Sequence, residues 1–281
     1  MTGAARAAAN QTDRIDTNDG SATLTLYTNL RPLSTIDHAD LRLQPLPGYG
    51  FARTATELPV HASELTHLVP VLPLAFRIDE AGARLVGITG VRAGENLFVG
   101  PKGGWTAIAT PDALETYPFV MQRSGDGSGV LCVDMASDLL SRFEGERLLD
   151  DQGQPAGTLQ GHVARLKAQL QDRRTTAQAI RALGEAGVLA PWQVDDVDTL
   201  DGAVHRYVDR SALQALAAET QAKLARQGAL ALAYAQIYAM ANMRKLRAMA
   251  QARGASGAHP SGYLKDNDAL EFGEDAVLDF S

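Results

Sequence analysis

Leu74-Ala75-Phe76-Arg77-Ile78 and Leu85-Val86-Gly87-Ile88 stand on either side of Asp79–Gly82, and this stretch decides the fold class. Two short apolar runs around a turn read as antiparallel strands. Upstream, Leu41–Leu46 alternates weakly and suggests a short strand. Ala62–Leu72 has helical character, but Pro70 and Pro73 cut it short, because proline lacks the N–H a helix needs. Downstream, Leu97–Val99 and Trp105–Ala109 read as a hairpin across Gly100–Gly104. Pro111–Thr116 has room for one or two helical turns, with Pro111 in the favoured first position. Phe119–Gln122 and Val130–Met135 resemble strands flanking the glycine-rich turn Ser124–Gly129.

The pattern changes period after Gly153. Leu159–Leu170 places Val163, Leu166 and Leu170 at helical spacing. Thr175–Ala186 reads as a second helix, stopped by Gly187. Gln193–Asp201 and His205–Val208 suggest a small β-ribbon. Asp209 has the chemistry of an N-cap for a helix over Ser211–Gln227, ended by Gly228. Ala229–Arg253 predicts a long final helix with an apolar stripe at Leu230, Tyr234, Ile237, Ala241 and Leu246. Arg244, Lys245 and Arg247 complement the negative end of its dipole. Its alanines permit close approach of another helix, within the chain or across a homodimer.

The expected architecture is therefore α+β. A β-rich N-terminal half (residues 23–150) packs with a helical C-terminal half (151–253) that ends in a long helix. The lack of regular βαβα alternation argues against a doubly wound parallel sheet. No Pro/Gly/Ser-rich linker divides the halves, so residues 23–253 read as one domain. Residues 1–22 read as a disordered lead and 254–281 as a disordered acidic tail.

Composition narrows the function classes. The chain has 281 residues, 45% hydrophobic and 6% aromatic, so aliphatic side chains must fill most of a substantial core. A net charge of −7 argues against nonspecific nucleic-acid binding, which needs clustered cations. Arg173-Arg174 and Arg244-Lys245-Arg247 read as solvated helix faces. Cys132, the single cysteine, excludes an intrachain disulfide and reads as a small buried apolar residue. No window has the roughly 18 consecutive apolar residues expected of a membrane span. The N-terminus lacks a signal-peptide core, so the expected compartment is the cytoplasm.

The catalytic patterns are incomplete. His38-Ala39-Asp40 has the H-x-D spacing of two corners of an iron facial triad, with His162 or His205 as a third ligand. The competing reading is a turn in which these side chains bond the backbone. On a helix Glu64 shares a face with His61 and likewise with His67, but the second His at i+4 of a zinc-protease helix is missing. Solvated polar residues on a short helix are the simpler reading. The glycines around Lys102 match neither phosphate-binding pattern, and no G-x-S-x-G elbow occurs. In Gly94-Glu95-Asn96-Leu97-Phe98, Glu95 and Asn96 shape a turn and a buried Leu97 or Phe98 lies beside Trp105. Trp105, Tyr117 and Phe119 read as core before ligand box.

That segment, with Trp105 and Tyr117-Pro118-Phe119, resembles the most specific block of the bacterial SapC family of soluble proteins. The resemblance runs from about Tyr27 to Leu246. Tyr27, Leu30, Pro32, Leu33 and His38 open it. Phe51-Ala52, Pro59, Glu64, Pro73 and Phe76 follow. Phe143, Gly145, Leu148 and Gly153, then Thr176, Leu183 and Val188-Leu189, then Gly228, Leu230, Tyr234-Ala235 and Leu246 complete it. Gln236 departs from the pattern, standing where many members carry His. The resemblance implies association with a bacterial surface layer, and gene neighbourhoods with TonB-dependent receptors, cupin-like oxygenases or flavin-dependent halogenases. It attaches no reaction.

The expectation is thus an accessory or binding protein of a bacterial peptide- or surface-layer-related system, with a protein or peptide partner and no cofactor. Glu95, Asn96, Trp105 and Tyr117 are its candidate binding residues. The alternative is a metal-dependent oxygenase that modifies a peptide or protein, with His38 and Asp40 as ligands and iron and 2-oxoglutarate as cofactors.

Overall fold

The computed structural model describes residues 26–124, 127–192, 200, 202 and 204–257. The N-terminal half carries β1 (Leu30–Pro32), β2 (Arg42–Leu43), β3 (Glu57–Val60), α1 (Leu65–Leu68), β4 (Leu74–Asp79), β5 (Gly82–Ile88), α2 (Asp112–Glu115), β6 (Phe119–Arg123), β7 (Gly129–Asp134), β8 (Leu140–Ser141) and β9 (Glu146–Arg147). The C-terminal half carries α3 (Gly157–Glu185), β10 (Leu189–Pro191), β11 (His205–Val208), α4 (Arg210–Ala215), α5 (Ala218–Arg226), α6 (Ala229–Ala239) and α7 (Asn242–Gly257). The fold is α+β, a β-rich half packed against a helical one.

Among the described residues the strands form three antiparallel sheets, in the orders β10-β11-β4-β5-β3, β1-β7-β6 and β8-β2-β9. The expected β4–β5 hairpin forms, with Phe76 opposite Leu85 and Asp79 opposite Gly82. Its strands are apolar on both faces over Leu74–Phe76 and Leu85–Ile88 because helices and loops cover both sides. One core packs this sheet against α3, α5, α6 and α7. A second lies under the two smaller sheets. The helix α3 belongs to both: Leu159 and Leu166 enter the second core, while Ala179, Ile180 and Leu183 enter the first.

Several expected elements differ in extent. The two helices expected over 159–170 and 175–186 are one helix, α3, of 29 residues from Gly157 to Glu185. Asp172 and Thr175-Thr176 look like a break in the sequence, yet Leu166, Gln169, Thr176 and Ile180 keep the buried face continuous across it. Asp172 instead accepts the Ser63 N–H at 2.9 Å. Asp209 caps α4 as expected, accepting the N–H groups of Ser211 and Ala212. That helix ends early, because Leu216 and Ala217 turn extended before α5 begins. The expected hairpin at Leu97–Ala109 is reduced to one bridge, Val99 with Trp105. The Trp105 indole N–H then bonds the Ala109 carbonyl and curls the following residues back. His205–Val208 pairs with β10, whereas residues 193–199 and 201 lie outside the described residues. So do residues 1–22 and most of the 254–281 segment, although α7 itself continues to Gly257.

The final helix is bent at Met240-Ala241 into α6 and α7. Asn242 sits at the bend and donates to the carbonyls of Val69 and Leu72 at 2.7 and 3.1 Å, tying it to the end of α1. Its buried face is Ala229, Leu232, Ala233, Gln236, Ala239, Met243, Leu246 and Ala250. Of the predicted stripe, Leu246 is buried as expected, whereas over α6 the buried face is rotated: Leu230, Tyr234 and Ile237 flank the core and Ala241 is exposed. Small alanines let α6 approach the sheet closely enough for Gln236 to enter it. Its amide accepts the Val208 N–H and donates to the Leu74 carbonyl, both at 3.0 Å. Those residues lie just past the last β11–β4 pair, so the side chain completes the ladder where the strands part.

Candidate ligand-binding cleft

The long α3 crosses β5 and β6 and leaves a cleft of about 420 Å³ between them. Its floor is apolar, built by Tyr27, Val60, Leu85, Val120 and Leu170. Its walls carry five arginines: Arg84 from β5, Arg123 from β6, and Arg173, Arg174 and Arg181 from α3. No Asp or Glu is among the described residues that line it. The concentration of cations is notable in a chain whose net charge is −7.

Each group has a structural reason for its place. Arg84 donates to Asp79 at 2.6 Å, and Asp79 also takes Arg77 at 2.7 Å. Arg77 continues to Glu57 at 2.9 Å, and Glu57 to His205 at 2.8 Å. This half-buried chain of charges runs through four strands and holds the Arg84 guanidinium. Burial lowers the Arg84 pKa, and the Asp79 charge opposes that shift. Asp79 resists its own desolvation through Arg77 and Arg84, which hold its carboxyl below the usual range. Arg173 donates to the Met121 carbonyl on the edge of β6. Arg174 and Arg181 are exposed at the rim and take no carboxylate partner among the described residues. Burial pushes the Tyr27 hydroxyl above the usual tyrosine range, against the pull of Arg173, so it faces the cleft as a neutral phenol. Gln169 is only 8% exposed, and its side-chain Nε2 has no hydrogen-bond partner among the described residues.

His61 also lines the cleft and is buried with Glu64, contrary to the expectation of solvated polar residues. Glu64 Oε2 takes both the backbone N–H and Nδ1 of His61 at 2.8 Å, and Oε1 accepts the Asp112 N–H at 2.6 Å. The pair thereby caps the turn into α1 and ties it to α2. His67 stays exposed.

The candidate binding residues lie elsewhere, mostly in internal contacts. Asn96 is fully buried, donating to the Ala52 carbonyl and accepting the Phe98 N–H, both at 3.0 Å. Gly94 turns the chain at a φ of +72°, and a Cβ on Gly90 would stand 2.0 Å from the Glu95 carbonyl oxygen. Both positions therefore need glycine. Glu95 is half-buried, with Oε2 lacking a partner among the described residues. Trp105 stacks on Phe98 with ring centroids 5.3 Å apart. Tyr117 stacks on Phe51 at 3.9 Å and donates to Asp134 at 3.3 Å. Burial raises the Tyr117 pKa to about 12, with the Asp134 charge adding to it.

The segment also has a partner that local sequence did not suggest. Arg253, from α7, donates to the carbonyls of Asn96, Leu97 and Val99 at 3.0, 3.1 and 3.2 Å. Arg253→Ala is expected to destabilise the protein by about 1.5–3 kcal/mol, the usual range for hydrogen bonds to a charged group. Chemical denaturation checks this, and a loss under 0.5 kcal/mol, roughly that of an ordinary surface change, would show that the clamp is idle.

His38 and Asp40 sit in a turn. His38 Nδ1 accepts the Ser34 N–H at 2.9 Å, and the exposed Asp40 pairs with Arg142, which holds its carboxyl below the usual range. His205 is engaged by Glu57 and His162 lies edge-on to Phe119. Among the described residues no three His, Cys, Asp or Glu side chains are grouped to hold a metal ion.

A family model described as SapC matches residues 33–246. The chain belongs to the SapC family. Neither a comparison with curated proteins nor one with solved structures returns a match. The SapC match begins just after β1 and ends within α7, so it includes every arginine of the cleft as well as the Gly94–Phe98 segment. Among the described residues of this SapC protein, no helix is long and apolar enough to cross a membrane. Local sequence does not mark the cleft, whose cations are scattered from Arg84 to Arg181; of the pair expected on a solvated helix face, Arg174 is exposed but Arg173 is half-buried against the Met121 carbonyl. The one local signal was Gln169, Arg173 and Arg181, four and eight residues apart along one side of α3.

Proposed function

We propose that this SapC protein is a binding protein, an accessory component of a bacterial peptide- or surface-layer-related system, and that its ligand carries negative charge. The observation that supports the reading is the cleft with five arginines and no carboxylate among the described residues that line it. A concave site walled by one sign of charge focuses its field and draws oppositely charged ligands. Guanidinium groups add geometry, since their planar fork matches a carboxylate or phosphate. Arg174 and Arg181 at the rim attract the ligand, and the half-buried Arg84, Arg123 and Arg173 hold it.

Titration of the full chain with hexaglutamate and with hexalysine at low and physiological salt tests this reading. Hexaglutamate is expected to bind, and to bind about tenfold more weakly to the Arg174→Gln/Arg181→Gln double variant. Raising the salt should weaken binding as rim charges are screened. Equal binding of hexalysine, or of hexaglutamate to the double variant, would overturn it. So would stoichiometric iron in the purified protein that His38→Ala removes.

A further inference from the structure

We infer that the cleft takes a free carboxylate carried on a short apolar body with a carbonyl oxygen beside it. This is the chemistry of a peptide C-terminus with an apolar last side chain, or of an N-acyl amino acid. The inference rests on the cleft being the ligand site and adds the class of ligand.

The arginines account for only one end of such a ligand. The second observation is Gln169. It is an uncharged amide, only 8% exposed, on the cleft-facing side of α3, and its Nε2 donates to none of the described residues. A buried donor without an acceptor is disfavoured in a native protein, and here the lining offers none. A ligand oxygen that is not itself the arginine-bound anion would satisfy it. An amide carbonyl next to a carboxylate has that spacing by covalent structure. The third observation is the floor of Val60, Leu85, Val120 and Leu170, which meets no polar ligand atom usefully and favours an aliphatic side chain. A bare phosphate would engage the arginines but leave both the amide and the floor unused. The volume of about 420 Å³ suits a ligand of a few residues rather than the face of a folded partner.

Four probes separate the possibilities by calorimetric titration of the full chain: acetyl-Gly-Ala-Leu with a free C-terminus, the same tripeptide amidated, N-acetylleucine and inorganic phosphate. The free-acid tripeptide is expected to bind at least tenfold more tightly than its amide and than phosphate. Tighter binding of the tripeptide than of N-acetylleucine assigns the site to peptide ends, and equal binding assigns it to acylated amino acids. Gln169→Leu should weaken the tripeptide about fivefold while leaving phosphate binding and the melting temperature unchanged, since leucine removes an unsatisfied donor without opening a cavity. Equal affinity for acid and amide, phosphate as tight as the tripeptide, or unaltered tripeptide binding to Gln169→Leu would each overturn the inference. If hexaglutamate still binds through Arg174 and Arg181 while none of the carboxylate probes does, the ligand class falls and the binding reading stands. If no anion binds, both fall.

Discussion

Glu57→Ala is expected to lower stability by about 3–5 kcal/mol, the range for removing one partner of a buried ion pair. Glu57 is 6% exposed on β3, and its two oxygens take Arg77 at 2.9 Å and His205 at 2.8 Å. His205 itself is 2% exposed. Truncation would leave an imidazole facing a void and one arm of Arg77 without its acceptor. Because native domains are stable by only about 5–15 kcal/mol, this is a large fraction of the total. Glu57→Gln keeps an oxygen in place and should cost less than half as much. Guanidinium denaturation of both variants checks the ranking. A loss under 1 kcal/mol for Glu57→Ala, about the value of an exposed pair, would show that the charge chain does not hold the strands.

The cleft should be largely insulated from a change at Glu57. Arg84 is positioned by Asp79, which is positioned by Arg77. Glu57→Gln is therefore expected to shift anion binding only slightly, because Asp79 keeps its two arginines.

Phe98→Ala is the second large effect, about 3–5 kcal/mol, as for other buried aromatics cut to alanine. Phe98 is 1% exposed, Leu97 beside it is 2% exposed, and Trp105 lies over the Phe98 ring. The loss combines transfer of the ring from water with the cavity left under Trp105. The backbone cannot collapse into that cavity, because Asn96 and Arg253 hold the segment from both sides. Thermal melting should show a drop of roughly 6–20 °C at the usual few degrees per kcal/mol. Unchanged stability in Phe98→Ala and in Trp105→Ala, together with loss of partner binding, would make the segment a recognition surface instead.

Much of the fold was legible because it is written in local patterns. The β4–β5 hairpin follows from two apolar runs around a turn, and β6–β7 follows likewise. The Asp209 cap was legible because its acceptor reaches N–H groups only two and three residues away. Elements set by distant partners were misjudged. The polar Asp172–Thr175 stretch resembled a break, yet the surrounding burial carries α3 through it. The burial stripe of α6 turned because a polar residue, Gln236, found two backbone partners in the sheet, an outcome that hydropathy alone reads as unfavourable. His61 and Glu64 looked solvated, but the Asp112 N–H and the cleft wall bury them.

The sequence by itself determined the class of fold, the family and the glycine-dependent turn at Gly94, since each depends on residue order or local spacing. Tertiary structure alone decided where the charge sits. Arg84, Arg123 and Arg173–Arg181 are separated by up to 97 positions, and no local pattern joins them. They face one cleft because a single rigid helix lies across two sheets, and the apolar cores on either side of α3 keep it there.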